Sequence, residues 1–333
     1  MKAAFKRGRD VTLREVELPP VGPRDIRIKV AACGICGTDL HLDPAAAAVE
    51  SGFGHEMAGT VAEIGCGVTE LQVGQQVVVE SATPCGFCEN CKNTRQELCT
   101  NIQSFFYNGC FGFAEEALMP AVTAIPCDDL PPDVACISEP LGVAIDIVRL
   151  ADIRPESNVL VLGPGPIGLM ALAIVKRMGA RRVFMSAFKR EAARVAVARQ
   201  FGADDVFDPS ETPLPQVDFG CHIDRILVTT PPPTLADTFE VACKGGIISF
   251  IGIAYGDSAF CRFDANAFHF KKLQLRASFA SPALYTPLAL QYLREGVVDG
   301  PALISHRFPL DRMAEAMETA RDVTQAVKVI VQP

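Results

Sequence analysis

The stretch that decides the fold runs from Asn158 to Gly168 and reads NVLVLGPGPIG. Its apolar run, Val159-Leu160-Val161-Leu162, has the pattern of a strand buried on both faces, as in a parallel sheet. Gly163, Gly165 and Gly168 follow in the spacing G-x-G-x-x-G, with Pro166 and Ile167 before the third glycine. An apolar helix is expected immediately afterwards, from Leu169 to Met178. Strand, glycines, then helix is the context a dinucleotide fingerprint requires. The first glycine makes the tight turn, the second lets the backbone approach a pyrophosphate, and the third lets helix and strand pack closely. The helix N-terminus adds free N–H groups and a partial positive charge. Glycines also mark ordinary turns; here the flanks favour the cofactor reading, with residues 163–168 as the candidate phosphate cradle.

Beyond this segment the pattern keeps alternating. Strands are expected at 183–186, 225–229, 246–252 and 273–277, with helices at 190–201 and 233–243 between them. Such βαβ repetition implies an α/β, doubly wound parallel sheet. The end of the second strand discriminates between NAD and NADP, because NAD enzymes place an acid there for the ribose hydroxyl. Here it reads Ser186-Ala187-Phe188-Lys189-Arg190, with no acid at 186 or 187. A small polar residue followed by two cations suits a 2′-phosphate, which Arg can bind bidentately. The plain alternative is a solvated helix start, although cations are disfavoured at a helix N-terminus. The reading favours NADP over NAD, with Ser186, Lys189 and Arg190 as contacts.

Towards the N-terminus the chain is strand-like, at residues 2–5, 13–16 and 26–30, punctuated by Gly and Pro. It then runs into Cys33-Gly34-Ile35-Cys36-Gly37-Thr38-Asp39-Leu40-His41 and, after a loop rich in alanine, Gly54-His55-Glu56. Cys, His and Glu are the donor types of an open, catalytic zinc. Cys85, Cys88, Cys91 and Cys99 follow as C-x2-C-x2-C-x7-C. Four thiolates so close in sequence suit a closed tetrahedral zinc, with an iron–sulfur cluster as the rival. The 333 residues are enough for two domains, and the net charge of −8 argues against nucleic acid as a partner. No apolar run reaches the length of a membrane span, and the N-terminus has no apolar signal core, so a cytoplasmic protein is expected. Thirteen cysteines without such a signal point to metal ligands and reduced thiols.

GICGTDLH followed by the GHExxGxxxxxG pattern resembles the zinc-dependent alcohol dehydrogenases of the medium-chain dehydrogenase/reductase family, and polyol dehydrogenases such as sorbitol dehydrogenase in particular. The resemblance covers essentially the whole chain. It implies a mostly β GroES-like catalytic domain at 1–135 with the structural zinc lobe at 85–99, a Rossmann domain at 136–277, and a return to the catalytic domain at 278–333. It implies two zinc ions per chain. Cys36 and His55 would ligate the catalytic ion, with Glu56 and Glu139 as carboxylates at it; Asp39 would orient His55, and Thr38 and His41 would relay protons. Cys85, Cys88, Cys91 and Cys99 would hold the structural ion. By the same resemblance Thr229 would begin the turn over the nicotinamide. Glu139 belongs to Ser138-Glu139-Pro140-Leu141, which in the family suits polyols and sugars; it can equally be a first-turn acid of a helix at 141–150. Phe105, Phe106 and Tyr107 suit either a substrate cleft or the core. The expected reaction is hydride transfer between a small secondary alcohol (a polyol, sugar or cyclitol) and a nicotinamide cofactor, in a homodimer or homotetramer. A threonine 3-dehydrogenase-like or glucose dehydrogenase-like enzyme is an alternative within the class. A cofactor-binding sensor without turnover is the alternative outside it, disfavoured because Cys36, His55, Glu56 and Glu139 are all present.

Overall fold

Asn158–Leu162 is a central strand of a six-stranded sheet in the computed structural model, which describes residues 1–41, 47–104 and 112–333. The spatial order is Asp205–Phe207, Arg182–Ser186, Asn158–Leu162, Ile223–Val228, Ala242–Phe250 and Gln274–Ala277, every pair parallel. Counted along the chain this is 3-2-1-4-5-6, the doubly wound order. Val159, Leu160 and Val161 are fully buried, which is why the segment is apolar at every position instead of alternating. Chain order reverses between Asn158–Leu162 and Ile223–Val228, and in such sheets ligands bind outside the carboxyl ends at that reversal. Gly163 and Thr229 each follow one of these two strands.

The helix after the glycines spans Pro166–Arg177, three residues earlier than the expected start. Gly165 is its N-cap, with extended backbone at φ −66° and ψ 169°. Proline at the first helical position has a suitable φ and lacks an N–H that would be unbonded there anyway. The helix expected at 233–243 is only Leu235–Val241, because a strand already begins at Ala242, paired with Ile223. Among the described residues no helix is long and apolar enough to cross a membrane.

The chain divides into two units: Met1–Gly142 with Ala280–Asp322 and Lys328–Pro333, and Val143–Phe279 with Val323–Val327. The parallel sheet belongs to the second. The first is mostly β. Its largest sheet runs Ala124–Pro126, Gln76–Val79, Glu56–Ile64, Asp25–Gly34, Lys328–Gln332, Ile304–Pro309, with Glu116–Pro120 also paired to Asp25–Gly34. Ile26, Ile28, Met57, Phe113 and Met119 are among the largest fully buried side chains of this unit. Two register features position the site. Asp25–Gly34 and Glu56–Ile64 are antiparallel with Gly34 opposite Glu56, so Cys36 and His55 emerge side by side from one end of the pair. The C-terminal strand adds to the same edge, Ile330 opposite Gly34.

Candidate functional site

Cys36 Sγ, a ring nitrogen of His55 and a carboxylate oxygen of Glu56 lie within 4.8 Å of one another. Three strands supply the surroundings. Cys36 caps the short helix Gly37–Leu40, and the Asp39 carboxylate closes the turn by accepting the Cys36 amide at 2.9 Å. His55 and Glu56 are buried. Burial opposes the imidazolium, yet the Cys36 sulfur and the Glu139 and Asp39 carboxylates outweigh it and hold His55 well above its ordinary pKa. Burial also raises Asp39. A thiolate, an imidazole and a carboxylate fit the donor set of a zinc that keeps one position open.

Glu139 lies in the first turn of helix Ser138–Leu150, so the helix begins before the expected Leu141 and the first-turn placement holds. It stands outside the three-residue set but close enough to act on His55. Burial first, then Glu56 and Asp39, push it up to about 7 against the pull of His55 and Lys328. Thr38 and His41 are both exposed, on the helix and at its C-terminal end. Phe105, Phe106 and Tyr107 lie outside the described residues.

Lys328 was not legible as a site residue. Its ammonium is buried, ion-paired with Glu56, and donates to the Ile35 carbonyl at 2.8 Å. Burial would lower its pKa, but Glu56 and Cys36 raise it further. The only signal in the sequence is a lone cation inside the apolar strand Val327 to Val331. Lys6 is a second buried cation: its Nζ donates to the Asp39 carbonyl at 2.7 Å and sits 5.0 Å from the Phe53 ring centroid.

The four cysteines of the lobe also converge, with all ligand sulfurs within 4.8 Å. Cys85 and Cys91 sulfurs are 3.9 Å apart, as are those of Cys88 and Cys99. A tetrahedral ion with Zn–S bonds of about 2.3 Å requires sulfurs about 3.8 Å apart, so the cage fits zinc; a disulfide needs about 2 Å. Backbone amides of Cys88, Cys85 and Asn101 point at sulfurs at 3.3 to 3.4 Å. Amide hydrogen bonds from Cys91 and Thr100 draw Cys88 down to about 6 and those from Cys85 and Asn101 lower Cys99, favouring thiolates at these two, while burial pushes the Cys91 thiol up to about 12. The pair Ala82–Thr83 and Gln103–Ser104 closes the base of the lobe.

In the second unit the glycine loop has the form a dinucleotide needs. Gly163 has φ +98°, and a Cβ on Gly168 would meet the Gly163 carbonyl at 2.0 Å. A Cβ on Gly165 would enter open space, so the backbone there leaves room that a phosphate could take. Pro166 and Ile167 form the first turn of the helix behind it. The Thr229 hydroxyl donates to the Leu162 carbonyl at 2.8 Å and also reaches that of Gly163 at 3.2 Å, tying the two strand ends together. Ser186 is buried and its carbonyl accepts the Gly163 amide. The Lys189 ammonium pairs with Glu211, and the Arg190 guanidinium lies over the Phe188 ring at 4.2 Å.

Residues 22–129 match the alcohol dehydrogenase GroES-like domain, and residues 166–293 match the zinc-binding dehydrogenase domain. An L-threonine 3-dehydrogenase of Mesorhizobium japonicum is 32% identical over 340 aligned residues, covering 96% of each chain. Among solved structures, an Escherichia coli CFT073 alcohol dehydrogenase with NADH aligns at a TM-score of 0.90 and 25% identity, over 100% of this chain and 99% of that one. A zinc-binding dehydrogenase of Sinorhizobium meliloti 1021 bound to NADP aligns at 0.85 and 27%, with the same coverage. Two domain matches and a relative alike along nearly its whole length lead to one conclusion: the chain belongs to the zinc-dependent alcohol dehydrogenases of the medium-chain dehydrogenase/reductase family, oxidoreductases that act on CH–OH donors with a nicotinamide cofactor.

Proposed function

We propose that this enzyme interconverts a secondary alcohol and its ketone at Cys36, His55 and Glu56, with Glu139 beside them. The observation that carries this reading is the convergence of those three donor atoms within 4.8 Å at the end of one strand pair. Zinc supplies a Lewis acid for the substrate oxygen and the nicotinamide exchanges the hydride. The chain's own groups do the rest. Lys328 neutralises Glu56 and fixes its carboxylate. Asp39 and Lys6 hold the turn that presents Cys36. The alcohol proton leaves through Thr38 and His41, or through a water held by the Glu139 carboxylate.

The Cys85, Cys88, Cys91 and Cys99 cage holds a second zinc in this reading. Elemental analysis tests both sites: two zinc ions per wild-type chain, and one in Cys36→Ser with alcohol oxidation down at least about a hundredfold, the scale of several kcal/mol of transition-state stabilisation. Full turnover by Cys36→Ser would sink the mechanism. Met1–Gly142 with Ala280–Asp322 and Lys328–Pro333 serve as the catalytic part and Val143–Phe279 with Val323–Val327 as the cofactor part, so the first boundary falls after Glu139 and not at 135/136.

Carboxylates around the site, with Glu139 in place of a further thiolate, support a polyol, sugar or cyclitol as substrate. A second reading, a 3-hydroxy amino acid, is supported by the likeness to L-threonine 3-dehydrogenases. Ranking kcat/KM for L-threonine, sorbitol, inositol and glucose separates the two. For the cofactor we favour NADP, since Ala187 stands where an NAD enzyme carries an acid. A homodimer or homotetramer is supported by the parallel sheet ending on the open strand Gln274–Ala277, where Leu275 is exposed.

A further inference from the structure

The parallel pairing of Arg182–Ser186 with Asp205–Phe207 sets Ser186 opposite Phe207, and the Ala187 amide donates to the Phe207 carbonyl at 3.0 Å. The residues after both strands therefore run on side by side. The Lys189 amide donates to Asp208 Oδ2 at 2.7 Å. Asp208 in turn organises a tight turn: its other oxygen accepts from the Ser210 amide and hydroxyl at 2.8 and 2.5 Å, and its carbonyl accepts the Glu211 and Thr212 amides at 3.1 Å. That turn delivers the Glu211 carboxylate to the Lys189 ammonium. Ala187, Lys189, Asp208 and Glu211 all line one groove of about 460 Å³. The cation offered to a 2′-phosphate at the end of the second strand thus already carries a carboxylate, and a second carboxylate sits next to it. Hydrogen bonds from Ser210 and Lys189 keep Asp208 ionised by lowering its pKa.

We propose that Glu211 is a specificity-determining residue for the cofactor: it occupies Lys189 as an internal substitute for the 2′-phosphate, and so holds the preference for NADP over NAD below what Lys189 and Arg190 would otherwise confer. A dinucleotide without the phosphate leaves the pair intact. One with it must displace Glu211 from Lys189 or bind against its charge. The inference rests on the NADP reading above, because it assumes that the phosphate reaches Lys189.

Binding of NADPH and NADH to the full-length protein, followed by calorimetry at low and high salt, tests it without recourse to turnover. Glu211→Gln is expected to tighten NADPH about three- to tenfold at low salt and less at high salt, with NADH within twofold; exposed ion pairs are of this size and are screened by ions. In a Lys189→Ala background the same change is expected to have a much smaller effect on NADPH. Equal effects on both dinucleotides, no effect on NADPH, or an undiminished effect without Lys189 would overturn the role of Glu211. Wild-type protein that binds NADH many-fold tighter than NADPH would overturn the NADP reading instead; a selective NADPH gain in Glu211→Gln would still support the role of Glu211.

Discussion

Gly34 shows how one absent methyl group organises the site. A Cβ there would lie 2.2 Å from Glu56 Oε2 and 2.8 Å from Lys328 Cε, so Gly34, at the end of its strand, leaves room for a buried ion pair. Gly34→Ala is expected to force that pair apart. Overpacking of this kind costs about 1–3 kcal/mol, and a buried carboxylate separated from its cation adds to that. The thermal midpoint should fall by several degrees, and zinc should be lost from the Cys36 site while the cysteine lobe keeps its ion. An unchanged midpoint with two zinc ions would show that the crowding is relieved cheaply. That Cys36, His55 and Glu56 belong to one candidate metal site could be expected from the chain because each stands in a short motif of recognisable donors, and the structure brings their donor atoms together. Lys328 could not, because its partner is chosen by strand pairing between the two ends of the chain.

The element whose sequence reads most directly is the strand, glycine loop and helix at 158–177. Its logic is local: the close approach of Gly168 to Gly163 is set by spacing within six residues. Gly168→Ala would put a Cβ 2.0 Å from the Gly163 carbonyl and 2.9 Å from the Thr229 hydroxyl, pushing the helix off the strand. Dinucleotide affinity is expected to fall more than about tenfold, with about 1–3 kcal/mol of stability lost as in other overpacked contacts; titration with NADPH and denaturant unfolding check the two effects. Retained affinity would mean that the helix can shift without spoiling the cradle. Helix ends were less legible. The start at Pro166 depended on Gly165 adopting extended backbone, and the end at Val241 on a strand pairing with Ile223, neither of which is written in apolar periodicity.

At the scale of the whole molecule the open sheet edge is the feature with a consequence. Gln274–Ala277 ends the strand order of the second unit with Leu275 exposed, and unpaired edges of this kind invite another strand. Light scattering is expected to show a dimer or a multiple of it, and Leu275→Lys to shift it towards monomer; a wild-type monomer would remove the expectation. Sequence alone determined the alternation of strands and helices, the glycine-rich loop, the two groups of side chains that could hold a metal and hence the family, since each of these is coded by spacing over a few residues and by the chemical type of the side chain. Only the tertiary structure decided the strand order 3-2-1-4-5-6, the union of Cys36 and His55 through the register of Gly34 with Glu56, the Lys328 partner of Glu56, and the Glu211 carboxylate on Lys189. Each of these joins residues far apart in the chain, and such contacts follow from which strands pair and in what register, a choice made by burial of the sheet faces together.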